Sequence, residues 1–482
     1  MRRKVAVVGG GITGLTAAYY VYREAEARGE GVEVTLLEGS DRLGGRVNTL
    51  RRDGFVIERG PDSFLARKLP MIRLAESLGI AGELTGTNPA AKKTYISRDG
   101  RLHAMPAGLV LGVPTDVEAF QTTALVSEEG KQQALADREI APGEAALGDE
   151  SVGAFLERHM GAEMVTRIFE PLLAGIYAGD LYGLSLQATF PQFKEMERQY
   201  GSLIAGSIEA RKAAAASSSA GAASVTGTAS LPASVFYTFK NGLSTVVEAL
   251  EERLREYGCD IRLSSRVESL AKAEGTGYRL TLADGELVDA DAVVVALPAA
   301  AMAGLLAPHT DVSALTNIRY VSVANVVLGY DSAVEGSVGT LDGSGFLVPR
   351  GEGRTITAST WTSVKWLHTA PEGKRLIRCY VGRAGDEAGV ELSDEEITAA
   401  VRRDLRDLMG LEAAPSFVEI TRLRHSMPQY PVGHKEAIAS FVSGLEANLP
   451  GVIASGQPFG GVGLPDCVAQ GQSAAERVWQ QL

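Results

Sequence analysis

Cysteine is scarce in this chain. Its 482 residues include Cys259, Cys379 and Cys467, far apart and odd in number, with no C-x-x-C. A disulfide framework and a structural zinc site are therefore excluded, and buried, reduced thiols are expected. Six histidines show no ligand spacing, so no metal is expected. Long apolar runs are also lacking. Residues 292–308 come closest, and Pro298 divides them, so no membrane span is expected. Residues 1–4 are Met-Arg-Arg-Lys and 5–8 are apolar, but glycines 9–11 end the run and no cleavage site follows. That excludes a secretory signal and leaves a cytoplasmic protein, without stable membrane insertion, as the expectation. Positive charge is in deficit, with 47 Lys and Arg against 59 Asp and Glu, a net charge of −12. Nucleic acid and anionic lipid are poor bulk partners for such a surface. Screening over ~10 Å still permits a local cationic patch for a small anion.

What is present is a long chain rich in glycine. A length of 482 residues exceeds one hydrophobic core, so two or three domains are expected. Residues 5–8 form a β-branched run, 9–14 are glycine-rich, helix formers follow from Leu15, and 32–37 read as a second strand. This is a βαβ unit. A strand-rich region spans 261–297, with alternation over 278–282 and a hairpin turn at Asp284-Gly285. Apolar periodicity predicts helices over 151–174 and 394–409. Residues 213–234 are nearly all Ala, Ser, Gly and Thr, which predicts a low-complexity loop.

Gly9, Gly11 and Gly14 give G-x-G-x-x-G directly after a strand and at the opening of a helix. Glycine lets the backbone approach a pyrophosphate at the helix N-terminus, and Glu38, ending the second strand, suits ribose hydroxyls. Next comes Gly39-Ser40-Asp41-Arg42-Leu43-Gly44-Gly45-Arg46. An acid followed by x-x-x-R-x-G-G-[RK] resembles the superfamily of flavin amine oxidases, phytoene desaturases and porphyrinogen oxidases, which selects FAD over NAD. Residues 58–65 (Glu-Arg-Gly-Pro-Asp-Ser-Phe-Leu) and 170–180 (Glu-Pro-Leu-Leu-Ala-Gly-Ile-Tyr-Ala-Gly-Asp) resemble porphyrinogen-oxidase segments. So do 322–326, 426–430 (Ser-Met-Pro-Gln-Tyr) and 461–467. Within that group the chain is most similar to the Gram-positive type of coproporphyrinogen III oxidase.

The resemblance implies an α/β fold: a Rossmann-like FAD domain of the two-dinucleotide-binding type, an α+β substrate domain and a helical subdomain. The FAD domain would comprise 1–88, 235–300 and 423–482, the substrate domain 89–112 and 301–422, the helical subdomain 113–210, and the loop 211–234. Flavin contacts would fall on Gly9, Gly10, Gly11, Ile12, Thr13, Gly14, Glu38, Gly39, Arg46, Gly60, Pro61, Asp62, Ser63, Val267, Val462, Gly463 and Leu464. The helix expected over 465–479 would aim its positive end at the flavin ring. Two departures stand out. Leu423 occupies a position where relatives often carry Trp, and 115–145 is polar and acidic where membrane-associated relatives are apolar.

The implied reaction is oxygen-dependent, six-electron oxidation of coproporphyrinogen III to coproporphyrin III, with hydrogen peroxide formed, in haem biosynthesis. Transient haem-pathway enzymes would be partners. The cofactor supplies the redox chemistry and the protein orients the macrocycle. Propionates call for cations, and Arg67 and Lys68, following the 60–63 segment, are the first candidates, ahead of Lys92, Lys93 and Arg98. Tyr380 and Tyr177 are candidate catalytic phenols, able to hydrogen-bond the macrocycle or relay a proton. A satisfied core tyrosine explains either equally well. Alternatives are protoporphyrinogen IX as main substrate, an amine oxidase or desaturase on this fold, and a non-catalytic binding protein. The complete glycine motifs argue against the last.

Overall fold

A computed structural model describes residues 2–143, 148–219, 234–331 and 341–482. The first strand, Arg3–Val8, lies at the centre of a five-stranded parallel sheet. Its neighbours are Val32–Leu37 and Ala292–Val295, and Asp260–Arg262 and Val452–Ala454 form the edges. The unbroken run of valines in Ala292–Val295 is buried throughout, as strands covered on both faces require. One face carries the helices Ile12–Arg28, Ser244–Glu256 and Leu464–Gln481. The other carries an antiparallel meander of Val267–Lys272, Tyr278–Leu282 and Leu287–Ala290, with helices Ala299–Leu306 and His434–Asn448. The meander's hairpin turns at Gly285, whose φ is +87°.

A second, seven-stranded sheet runs in the order Phe417–Gln429, Arg319–Tyr330, Arg375–Val381, Ile356–Thr360, Gly343–Leu347, Lys93–Arg98, Arg101–Ala104. Helix Asp394–Met409, the span expected from periodicity, covers it and begins with a capping box between Ser393 and Glu396. The helical region forms its own core around Phe155, Phe169 and Phe193. Cys259, Cys379 and Cys467 are free and buried. No helix among the described residues is long and apolar enough to cross a membrane.

Three expectations need correction. The helix expected over 151–174 is interrupted. Val152–Met160 ends at Gly161, whose φ of +83° cannot continue a helix, and Val165–Ala174 is a π-helix containing Pro171. The loop expected from 211 is helical to Ser219, because helix Leu203–Ser219 propagates through an alanine run. The remainder of that segment, 220–233, lies outside the described residues. The N-terminal helix starts at Ile12, so Gly14 is inside it. Three expected domain limits also fall within elements: 210/211 inside helix Leu203–Ser219, 300/301 inside helix Ala299–Leu306 and 422/423 inside strand Phe417–Gln429.

Candidate functional site

The cofactor cradle is built mostly from backbone. Gly9 ends the first strand and donates to the Leu37 carbonyl at 2.8 Å, tying the glycine loop to the second strand. Glu38 follows, and its carboxylate accepts from the Gly10 amide at 2.6 Å and the Ser40 amide at 2.8 Å. The second glycine loop lies against the first: Gly44 donates to the Gly10 carbonyl at 2.8 Å, and Gly11 bridges Gly44. A side chain on Gly14 would overlap the Gly9 carbonyl oxygen, so this turn admits only glycine. At Gly11 the case is reversed, for a Cβ would meet nothing within 4 Å.

That open space lies at the N-terminus of Ile12–Arg28, which has no capping side chain and no acid in its first turn. Uncapped amides and the helix dipole face the opening, as a pyrophosphate requires. The cradle therefore fits FAD, and Glu38 and Gly39 lie at the end of the second strand beside it. Segment 264–267 adjoins that end, since the Ser265 amide donates to the Glu38 carbonyl at 2.8 Å, and Val267 starts the meander. Val462, Gly463 and Leu464 form the turn into the C-terminal helix. The Arg46 guanidinium is half-buried and donates to the Ser426 and His425 carbonyls and, at 3.1 Å, to Gln457 Oε1.

From Arg46 the site passes directly to the seven-stranded sheet. A Cβ on Gly60 would overlap the Arg46 carbonyl oxygen, so the 60–63 segment is pressed against the second glycine loop. On its other side, Arg378 Nη2 donates to the Gly60 carbonyl at 2.5 Å, and Asn325 donates to the Arg59 carbonyl at 3.1 Å. Asp62 bonds Ser63 Oγ at 2.7 Å, and the Tyr380 hydroxyl stands 3.5 Å from Asp62 Oδ2 and 3.4 Å from Thr360 Oγ1. The Arg378 guanidinium lies over the Tyr380 ring at 4.8 Å.

Burial alone would raise the Asp62 pKa. Lys365 and Arg378, with bonds from Ser63 and Tyr380, outweigh it and hold the carboxyl below its ordinary range. Burial pushes the Tyr380 phenol up to about 12. At neutral pH the pair is thus a carboxylate beside a neutral phenol donor.

The other expected residues are placed as follows. Lys68 is not a free cation: its ammonium pairs with Asp466 at 2.6 Å, in the first turn of Leu464–Gln481. An acid there suits the helix dipole. Arg67 is exposed and forms no ion pair among the described residues. Tyr177 is buried, its ring edge-on to Tyr430 at 5.9 Å, and burial followed by Asp466 raises its pKa. It therefore lies near Asp466, the partner of Lys68, at the helix end. Leu423 is a half-buried strand residue opposite Val323. Lys93 pairs with Asp342, and Arg98 with Asp99 at 3.3 Å.

The chain matches, over residues 12–479, the family described as flavin containing amine oxidoreductase. It is 41% identical to the coproporphyrinogen III oxidase of Bacillus subtilis (strain 168), over 98% of this chain and 97% of that one. It is 37% identical to the coproporphyrinogen III oxidase of Staphylococcus aureus (strain NCTC 8325 / PS 47), over 100% of both. The crystal structure of a protein from Exiguobacterium sp. 255-15, provisionally called a protoporphyrinogen oxidase, superposes with a TM-score of 0.87, at 35% identity over 100% of both chains. The chain belongs to the flavin containing amine oxidoreductases, in the coproporphyrinogen III oxidase branch.

Reading the sequence did not single out Arg378, Lys365, Thr360 or Asp466. Arg378 carried a usable signal, since it lies two residues before Tyr380 on one strand and so shares its face. Asp466 lay within the 461–467 segment, although its pairing with Lys68 was not legible; Lys365 carried no signal, because only tertiary folding brings it to the site.

Proposed function

We propose that this protein catalyses the oxygen-dependent oxidation of coproporphyrinogen III to coproporphyrin III, with FAD as cofactor and hydrogen peroxide as co-product. The observation that carries the reading is the 60–63 segment, wedged between the cofactor cradle and the Arg378–Tyr380 face of the second sheet. It makes one site of two domains. Full-length likeness to two coproporphyrinogen III oxidases supports the substrate.

Removing six hydrogens from a porphyrinogen takes three two-electron steps. FAD, bound along Gly9–Gly14, Glu38 and Gly44–Arg46, supplies the hydride acceptor and the means of passing electrons to dioxygen. The chain's own groups do the rest. Asp62, held ionised, is placed to take a proton, and Tyr380, held neutral, to orient the macrocycle by hydrogen bonding. Arg67 is the exposed cation positioned for a propionate, and Lys68, tied to Asp466, helps to fix the helix end beside it.

The test is a substrate panel on FAD-loaded protein, read by porphyrin fluorescence. Coproporphyrinogen III should be oxidised faster than protoporphyrinogen IX, and primary amines not at all. Preferential amine oxidation would overturn the assignment.

A further inference from the structure

Beneath the Asp62–Tyr380 pair is a small cavity lined by Glu58, Asp62, Arg378, Trp366 and His368, among others. It leaves about 20 Å³ for the centre of a water molecule, more than the ~10–15 Å³ one water needs. An organic ligand does not fit. Its walls hold buried donors that lack acceptors. Arg378 is 4% exposed and Trp366 1%. Among the described residues Arg378 Nε and Nη1 and Trp366 Nε1 have no hydrogen-bond partner, and Asp62 Oδ2, 3.9 Å from Nη1, is beyond hydrogen-bond reach. Buried donors are rarely left unpaired, and leaving one so costs ~1–3 kcal/mol. Two acidic residues, Asp62 and Glu58, line the same space.

We propose that this cavity holds one ordered water, which accepts from Arg378, donates to Asp62 and Glu58, and carries protons from Asp62 to Glu58. Its second lone pair is left to accept from Asp62 once that group is protonated. Glu58 is a positioning and proton-storing residue, not one that touches the substrate. The transfer is balanced. An O–H bond of protonated Asp62 breaks as one forms on the water, a water O–H breaks as one forms on the Glu58 carboxylate, and no electrons move. Asp62 is returned as a carboxylate, and Glu58 gives its proton up before the next of the three steps, because forming hydrogen peroxide from dioxygen takes up one proton per turnover. The inference rests on the reading that Asp62 takes the substrate's proton.

Glu58 is built for this. Its carboxylate accepts from the Leu243 amide at 2.6 Å and Thr49 Oγ1 at 2.9 Å, which fix its orientation. Burial raises its pKa to about 7, against the lowering pull of those bonds and of Arg378. The charged or titratable groups facing it are Asp62, Arg378 from strand Arg375–Val381, and His368. Burial lowers His368 to about 4, so it is neutral near pH 7 and adds no charge. Asp62, low, and Glu58, near neutral, define a downhill path for a proton between them.

The experiment is an infrared pH titration of the FAD-loaded, substrate-free protein, beside the pH profile of kcat. The unaltered protein should show a protonated-carboxyl band lost with a midpoint near pH 7. E58Q should lack the band, and E58D should keep it, shifted. With coproporphyrinogen III, kcat should rise through the same midpoint. E58Q should lose that rise and fall about tenfold at pH 8 with KM unchanged, and E58D should recover part of the loss. If E58Q does not fold, E58D alone decides, since its band and its kcat midpoint should shift together. A missing band overturns the site, and an unaltered kcat profile in the variants overturns the relay. If the unaltered protein oxidises no porphyrinogen, the proposed function fails instead, and the relay to Asp62 fails with it; the band then reports only whether Glu58 titrates.

Discussion

The cofactor cradle and the Asp62–Tyr380 cluster adjoin, yet they are built by opposite means. The cradle uses nearby segments, 9–14 and 38–46, and joins them by backbone hydrogen bonds and glycine contacts. The cluster uses side chains from distant segments: Asp62 from a loop, Thr360, Arg378 and Tyr380 from sheet strands, and Lys365 from the short helix Thr362–Lys365. The first is closed by backbone hydrogen bonds around one open space, which uncapped helix amides face. The second leaves Arg378 Nε and Nη1 without hydrogen-bond partners among the described residues. Binding a constant cofactor needs a fixed shape, whereas moving protons needs groups that can change partners.

The largest expected effect comes from breaking the cradle itself. Gly14→Ala forces a Cβ onto the Gly9 carbonyl. It should destabilise the protein by about 3 kcal/mol or more and yield no FAD-bound form, read by thermal unfolding and flavin absorbance. Gly11→Val sharpens the comparison. Its side chain would enter open space, so the protein should fold with an unfolding temperature near that of the unaltered apoprotein but bind no FAD. Full flavin content in that variant would show that the open space is not the pyrophosphate site.

On the other side, Tyr380→Phe should keep full flavin and lower kcat about tenfold, because it removes one hydrogen bond and no charge. Asp62 has its folded-state pKa depressed, so it contributes stability above its unfolded value, and that contribution is lost as pH falls through the folded one. The acid limb of kcat/KM should accordingly lie below the ordinary carboxylate range. The smallest effect is expected for Lys68→Ala. The pair with Asp466 is partly exposed, with side chains 39% and 22% accessible, so stability should change by about 1 kcal/mol or less. Because Asp466 already neutralises Lys68, Michaelis constants should change little, and alike for coproporphyrinogen, with four propionates, and protoporphyrinogen, with two. A rise confined to coproporphyrinogen would return Lys68 to the substrate side.

The same contrast governs what could be read from the sequence. The βαβ unit, the two glycine motifs, Glu38 and helix Asp394–Met409 were legible because local spacing encodes them. Tyr380 could be placed on a strand, but its meeting with Asp62 could not, since 318 positions separate them. Lys68 looked like a free cation because Asp466, its partner, lies 398 positions away. The helix over 151–174 failed locally, since apolar periodicity outvoted Gly161 and Pro171. The alanine run to Ser219 was misread in the opposite sense, as low complexity rather than helix propensity.

Anaerobic flavin reduction in Asp62→Asn tests most directly whether cradle and cluster form one site. The variant should bind FAD as fully as the unaltered protein, because Asp62 lies outside the glycine cradle. Mixed with coproporphyrinogen III in the absence of oxygen, its flavin should bleach about 100-fold more slowly, the loss expected when a positioned proton acceptor is removed. Bleaching at the unaltered rate would contradict the account, since the proton would then leave the substrate without Asp62.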